Sequence, residues 1–346
     1  MNAKRTGIVA ALGAAVLFGA STPLTKMLLT DVKPWLLAGL LYLGSGLGLS
    51  VARFIRGSKG NDLARHDWPW MFGAVVAGGI AGPVLLMWGL AGTSASTASL
   101  MLNAEGVFTA LLAWYVFREN FDHRIALGMA AIVIGAVILS WSGAIQVQSP
   151  WPPLAILAAC LCWGIDNNLT RKVSLSDPFQ IAAIKGLIAG ATNVSLALIV
   201  GMSIPSAGTI LMSGVVGFLG YGLSLALFVI ALRELGTARA GAYFSTAPFV
   251  GAIIAVPLLG DPVTIALVLA GGLMAIGVWL HITERHAHEH EHETVEHSHV
   301  HVHDDGHHRH DHDSSPVEPH IHKHQHEPTP HAHPHYPDEH HRHRHK

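Results

Sequence analysis

Charge is scarce in this sequence. Only 13% of its 346 residues are Asp, Glu, Lys or Arg, against about 25% in a typical soluble domain, and half are hydrophobic. That balance argues against a soluble fold for residues 1–285. Cysteine is nearly absent: Cys160 and Cys162 share one apolar run, so no disulfide framework is implied. Two positions apart on a helix, they would point about 200° away from each other and are no chelating pair. Also missing are a nucleophile elbow, a phosphate-cradling P-loop and the paired motif of a membrane hydrolase. No enzyme, no ATP-driven pump and no nucleic-acid partner is expected.

What is present is apolar length. Ten runs, at about 7–27, 35–55, 69–90, 93–117, 123–142, 151–170, 178–201, 208–232, 238–259 and 262–282, are each long enough to cross about 30 Å of hydrocarbon as a helix. With nine runs behind it, the first is expected to be an uncleaved span and not a signal peptide. Lys and Arg fall on alternate connections. Lys4, Arg5, Arg53, Arg56, Lys59, Arg65, Arg118, Arg124, Arg171, Lys172, Arg233 and Arg239 share one side, and only Lys33 lies on the other. By the positive-inside rule both termini are then cytoplasmic and the number of spans is even.

The chain repeats itself. Phe18-Gly-Ala-Ser-Thr-Pro-Leu-Thr-Lys26 and Trp163-Gly-Ile-Asp-Asn-Asn-Leu-Thr-Arg171 align at an offset of 145, with aromatic-Gly, Leu-Thr and a final cation in register. Gly236-Thr237 likewise answers Gly92-Thr93. Each motif ends the first helix of a five-helix half. Because five is odd, the halves must insert in opposite senses, as an inverted-topology repeat with its binding site between them near the midplane.

Ten runs in two halves, the aromatic-Gly motif and the Pro248-containing helix running into Leu259-Gly260-Asp261 resemble the drug/metabolite transporter superfamily, specifically its paired EamA-type domains. The resemblance covers residues 5–283. It implies an all-α integral membrane protein of ten transmembrane helices, with one repeat in 5–145 and a second in 146–285. It also implies a secondary carrier, often an exporter of amino acids or other small metabolites. Pro248 stands where the family's proline is expected, whereas the first copy has Asn103-Ala104-Glu105 there.

Glu105 is the leading candidate for function. A carboxylate at the centre of a membrane helix costs about 3 kcal/mol on insertion scales, so it faces protein or a wet cavity. There it could carry a proton, a cation or a substrate ammonium; alternatively, it pairs with Lys185 or Lys26. Asp166, Lys185, Asn103 and Trp163 are the next candidates along the path. Cys162, Asp166 and Thr170 form an i, i+4, i+8 stripe that could meet a transition metal. Lys185 could neutralise either carboxylate or meet an anionic substrate group. Lys26 and Arg171 are expected to anchor topology by snorkelling. The remaining tryptophans fall near span ends, as in an aromatic belt.

From residue 286 the composition changes. All but His66, His123 and His281 of the 26 histidines lie here, among acidic residues and prolines. Such a segment cannot bury enough apolar surface to offset its ordering entropy, so 286–346 reads as a disordered cytoplasmic tail. Imidazole is the commonest metal ligand. His286, His288, His290, His292, His297, His299, His301, His303, His307, His308, His310 and His312 are expected to bind Zn, Ni, Co or Cu ions, with no cofactor required by the body. The sequence thus favours a multi-pass transporter of the plasma (inner) membrane. In this reading it is a proton-coupled exporter whose cargo is a divalent transition-metal ion. The alternatives are a small-metabolite or amino-acid exporter regulated through the tail by metal or pH, and a membrane-anchored metal buffer that transports nothing. It leaves the oligomeric state open.

Overall fold

The computed structural model describes residues 3–57, 63–117, 123–141, 150–174, 176–235 and 237–283, and in the tail 287–291, 296–301, 320–325 and 330–334. The chain divides into two compact units, Met1–Glu284 and Arg285–Lys346.

The first unit is helical. In order it comprises α1 (Ala3–Leu28), α2 (Pro34–Arg56), α3 (Trp68–Ala74), α4 (Gly82–Ala91), α5 (Ala95–Met101), α6 (Ala104–Phe117), α7 (His123–Trp141) and α8 (Trp151–Arg171). Then come α9 (Pro178–Ile199), α10 (Ala207–Gly217), α11 (Ser224–Leu235), α12 (Thr237–Phe244), α13 (Ala247–Leu259) and α14 (Ile265–Ile282). Local signals mark the ends. The hydroxyls of Ser94, Ser206 and Thr264 accept N–H bonds from the first turns of α5, α10 and α14, and Gly260 ends α13 in a left-handed conformation at φ 67°.

Among the described residues six helical stretches are long and apolar enough to span a membrane: Arg5–Leu28, Pro34–Arg56, Arg65–Ala91, Pro178–Ile199, Ala207–Leu235 and Ala240–Leu259. Ala126–Leu139 and Ile265–Leu280 are apolar but shorter. α8 is not among the six, because Asp166, Asn167, Asn168 and Arg171 dilute its apolar run.

Four of the rods are irregular, which the apolar runs alone do not disclose. α3 passes into α4 through a π-helical stretch, Val75–Ala81, and α10 passes into α11 through another, Phe218–Leu223. The run 93–117 is not one helix. It breaks at Leu102–Asn103, where Asn103 Nδ2 turns back to donate to Leu100 O at 3.0 Å. The run 238–259 breaks at Ser245–Thr246, where Ser245 Oγ donates to Gly241 O and Thr246 Oγ1 to Tyr243 O. Pro248 then opens α13 within its first turn.

Packing follows a regular scheme. α2 lies along α9, and α7 lies along α14. α1 packs on α11 and α13, while α8 packs on α4 and α6. The α2–α9 contact is backbone to backbone. A Cβ added at Gly39, Gly46, Gly186 or Gly190 would strike main-chain atoms of the facing helix, the close approach that small residues permit within lipid. At one end Asp177 accepts from Phe179 N and pairs with Arg53 Nε at 3.2 Å, while Arg56 sits 4.4 Å from the centre of the Phe179 ring.

In the tail, β1 (Ala287–Glu291) pairs antiparallel with β4 (Pro330–Pro334), and β2 (Glu296–His301) pairs antiparallel with β3 (His320–Gln325). This departs from the structureless chain expected from composition. The His-X-His alternation has the period of a strand, although a lone two-stranded ladder is marginally stable in water.

Candidate functional site

The polar residues of α8 converge with three other elements. Asp166, buried and deep in the bundle, accepts from Lys185 Nζ of α9 at 2.5 Å (Oδ1) and 2.7 Å (Oδ2). Thr170, one turn on, donates to Asp166 Oδ1 at 2.8 Å and accepts from Lys185 Nζ at 3.2 Å. All three ammonium donors therefore have acceptors. The stripe of Cys162, Asp166 and Thr170 is accordingly filled by a lysine. Among the described residues no group of three His, Cys, Asp or Glu side chains is placed to hold a metal ion.

The π-helical stretch Val75–Ala81 wraps this pair. Widening the helix frees carbonyls from the regular ladder. Gly78 O accepts from Trp163 Nε1 at 3.0 Å and from Tyr42 OH at 2.8 Å, and Gly79 O accepts from Asn193 Nδ2 at 3.4 Å. Gly78 has no room for a side chain, because an added Cβ would overlap the Asp166 carboxylate. Gly78→Ala is therefore expected to destabilise the protein by about 1–3 kcal/mol, the usual cost of overpacking. Thermal unfolding in detergent measures it, and an unchanged midpoint would mean that the stretch yields without strain.

Glu105 stands apart from this pair, in the first turn of α6 just past the break. Among the described residues its side chain takes one hydrogen bond, from Asn167 Nδ2 at 2.8 Å, and the same amide reaches Thr109 Oγ1 at 3.3 Å. No cation lies within ion-pair distance of it among the described residues, and neither Lys185 nor Lys26 pairs with it. Glu105, Gly106, Thr109, Asn167 and Ser245 are each only partly covered, whereas every residue of α5 is buried. Gly106 faces Ser245, so the breaks in the two divided rods lie side by side.

The two repeat-related aromatics meet at the centre. Phe18 and Trp163 stand edge to face with centroids 5.9 Å apart, and Phe18 also contacts Tyr221 and Phe244. Trp163 and Asn167 are one turn apart on α8, which links this aromatic group to Glu105. Asn103 does not join the site. It is buried toward α14, with Nδ2 3.8 Å from Met274 Sδ and 3.0 Å from Leu100 O at the end of α5.

Of the tail histidines named above, His288, His290, His297, His299 and His301 lie on strands. His286, His292, His303, His307, His308, His310 and His312 lie outside the described residues.

Sequence reasoning missed Tyr42, Gly78 and Asn167. The cluster Gly78-Gly79, Gly82-Pro83 within an apolar run, matched by Gly217, Gly220 and Gly222, was the available signal for the irregular stretches.

The sequence model of the EamA-like transporter family matches residues 5–141 and again 150–283. An uncharacterized transporter of Methanothermobacter thermautotrophicus is 27% identical over 292 residues, covering 79% of this chain and 85% of that protein. The uncharacterized transporter YyaM of Bacillus subtilis is 22% identical, covering 77% of this chain and 90% of that protein. A probable amino-acid metabolite efflux pump of Salmonella typhimurium is 26% identical over 213 residues, covering 55% of this chain and 68% of that protein. One solved crystal structure, 19% identical, matches with a TM-score of 0.60 over 82% of this chain and 99% of that one, and so shares the fold.

Proposed function

The chain belongs to the EamA-like transporter family, and from that membership we propose that it is a ten-span secondary exporter of the inner membrane, driven by protons through Glu105 and carrying a small amino-acid-like metabolite. The observation that carries this reading is the inequality of the two carboxylates within the helical body. Asp166 is already neutralised by Lys185, whereas Glu105 is held by a single amide and remains partly accessible. Glu105 is thus the carboxylate able to exchange a proton or receive a substrate ammonium. A cargo with the character of an amino acid draws support from the relative described as an amino-acid metabolite efflux pump.

The inverted repeat is supported by the exchange of partners between halves. α1 packs on α11 and α13 just as α8 packs on α4 and α6, and Phe18 meets Trp163 at the centre. Alternating access then rocks one half against the other. The distribution of Lys and Arg supports cytoplasmic termini.

A divalent metal ion is the second reading for the cargo, favoured by the histidine tail. The strand register sets His288 opposite His333, His290 opposite His331, His297 opposite His324, His299 opposite His322 and His301 opposite His320. Directly opposed residues in an antiparallel pair have Cβ atoms about 5 Å apart, a spacing suited to shared ligation of one ion. In the metabolite reading the tail binds Zn, Ni, Co or Cu ions and regulates.

Reconstitution tests both. The full chain and a chain stopped after Arg285 are placed in proteoliposomes under an imposed proton gradient. Radiolabelled amino acids and Ni(II), Co(II) and Zn(II) are then followed. The expected result is amino-acid flux in both and metal flux in neither, with metal binding lost on truncation. Metal flux in both would make the ion the cargo and the tail a collector.

A further inference from the structure

Around the aromatic centre the two ends of the helical body differ. Toward α6 and the C-terminal end of α8, polar groups are partly accessible, while toward α5 and the C-terminal end of α1 the packing is tight. Yet the tight side is polar. Ser21 and Thr22 of α1 and Ser96, Thr97 and Ser99 of α5 are all buried. Thr93 Oγ1 and Ser99 Oγ have no hydrogen-bond partner among the described residues. Ser99 is pressed against Gly251 of α13, where an added Cβ would meet its Oγ at 2.5 Å and the Gly19 carbonyl of α1 at 2.8 Å. The two unpaired hydroxyls make the seam costly when dry, a cost relieved when water enters.

Two charged side chains hold the mouth of this seam. Lys26, at the end of α1, does not snorkel as expected. It turns inward, and its Nζ donates to Leu90 O at 2.6 Å, to Thr93 O at 2.8 Å and to Ala91 O at 3.2 Å. Asp261, from the second half, reaches across to accept from Ser96 N of α5 at 2.7 Å and lies within electrostatic reach of Lys26. One carboxylate thus joins the loop after α13 to the start of α5, and one ammonium joins α1 to the end of α4.

We propose that the seam between α1, α5 and α13 is the outward exit of the transport path, shut in this structure, and that Lys26 and Asp261 are the latch at its mouth. This rests on the transporter reading and on cytoplasmic termini. The structure is then the inward-facing state, with Glu105 open to the cytoplasm. Opening the other way breaks the Asp261–Ser96 bond, parts α13 from α5 and wets Ser99. The repeat supplies the counterpart: Asn167, which answers Thr22 at the offset of 145, lines the side that is open here.

The test is thiol accessibility. Cys160 and Cys162 are replaced by alanine, Ser99→Cys is introduced into the full chain, and a membrane-impermeant methanethiosulfonate is applied from outside. With the latch intact, modification is expected to be slow. Asp261→Ala should speed it about tenfold, the effect of losing one hydrogen bond to a charged group. Ser96→Pro should do likewise, because it deletes the N–H donor at a first-turn position where proline is tolerated. Modification unchanged by both variants, or arising only from the cytoplasmic side, overturns the latch. Faster modification in a protein that moves no amino acid or metal would keep the latch and overturn the cargo and coupling instead, so the two failures are distinguishable.

Discussion

Glu105→Gln is expected to reduce gradient-driven flux to background while leaving the protein folded, inserted and able to exchange substrate. The glutamine has the same shape, and its Oε1 can still accept from Asn167 Nδ2, the one side-chain hydrogen bond of Glu105 among the described residues. What it cannot do is release or take a proton. A carrier driven through this group would lose the link between cargo and gradient, whereas counterflow with saturating substrate on both sides, which needs no net proton movement, should survive. Asn167→Ala makes a graded control. It removes the donor to Glu105, worth about 1.5–3 kcal/mol when the acceptor is charged, together with the weaker contact to Thr109, and should weaken coupling by about 10-fold to 100-fold without abolishing it. Proteoliposome uptake with and without an imposed pH difference reads both variants. If Glu105→Gln kept full gradient-driven flux, Glu105 would be a structural group and coupling would have to be sought elsewhere.

The second large effect belongs to Lys185. Lys185→Met should destabilise the protein by about 3–5 kcal/mol, because Asp166 would be left buried without its partner. The loss should show as a steep fall in the yield of folded protein and in its melting temperature in detergent. The double variant Lys185→Met with Asp166→Leu should recover most of that stability, since well-packed apolar side chains of similar volume often replace a buried pair without penalty. Thr170 would then lose both of its partners, so recovery should be incomplete by about 1 kcal/mol. Equal stability in the single and double variants would show that Asp166 is solvated from another direction.

These effects indicate what was legible in the sequence. Apolar run length and the offset of 145 disclosed helices and duplication, because both are set by local composition and repeat along one dimension. The partner of Lys185 was not legible. From sequence it could have met Glu105, Asp166 or a substrate; the choice of Asp166 depends on how α9 is rotated against α8, which no local pattern records. Asn103 and Glu105 looked like neighbours in one site. The break at Leu102–Asn103 turns them apart, sending Asn103 toward Met274 and Glu105 toward Asn167. Lys26 misled for a related reason. A cation at a helix end ordinarily reaches for water, but here the carbonyls closing α4 lie nearer. The irregular stretches escaped notice because glycine in a membrane helix reads first as packing, and only the facing carboxylate of Asp166 reveals Gly78 as a site of strict fit.

The glycine contact between α2 and α9 has a mechanical meaning. Helices whose main chains touch at Gly39, Gly46, Gly186 and Gly190 cannot slide past or roll over one another without collision. One of these helices comes from each half of the duplication, so in the alternating access proposed above the pair would serve as a fulcrum: the rocking parts would be levers about it, and displacement on one face of the membrane would be returned with opposite sign on the other. Spin labels on the lipid side of α2 and α9 should then hold a fixed separation throughout the cycle and provide the frame against which the motion of every other helix is measured.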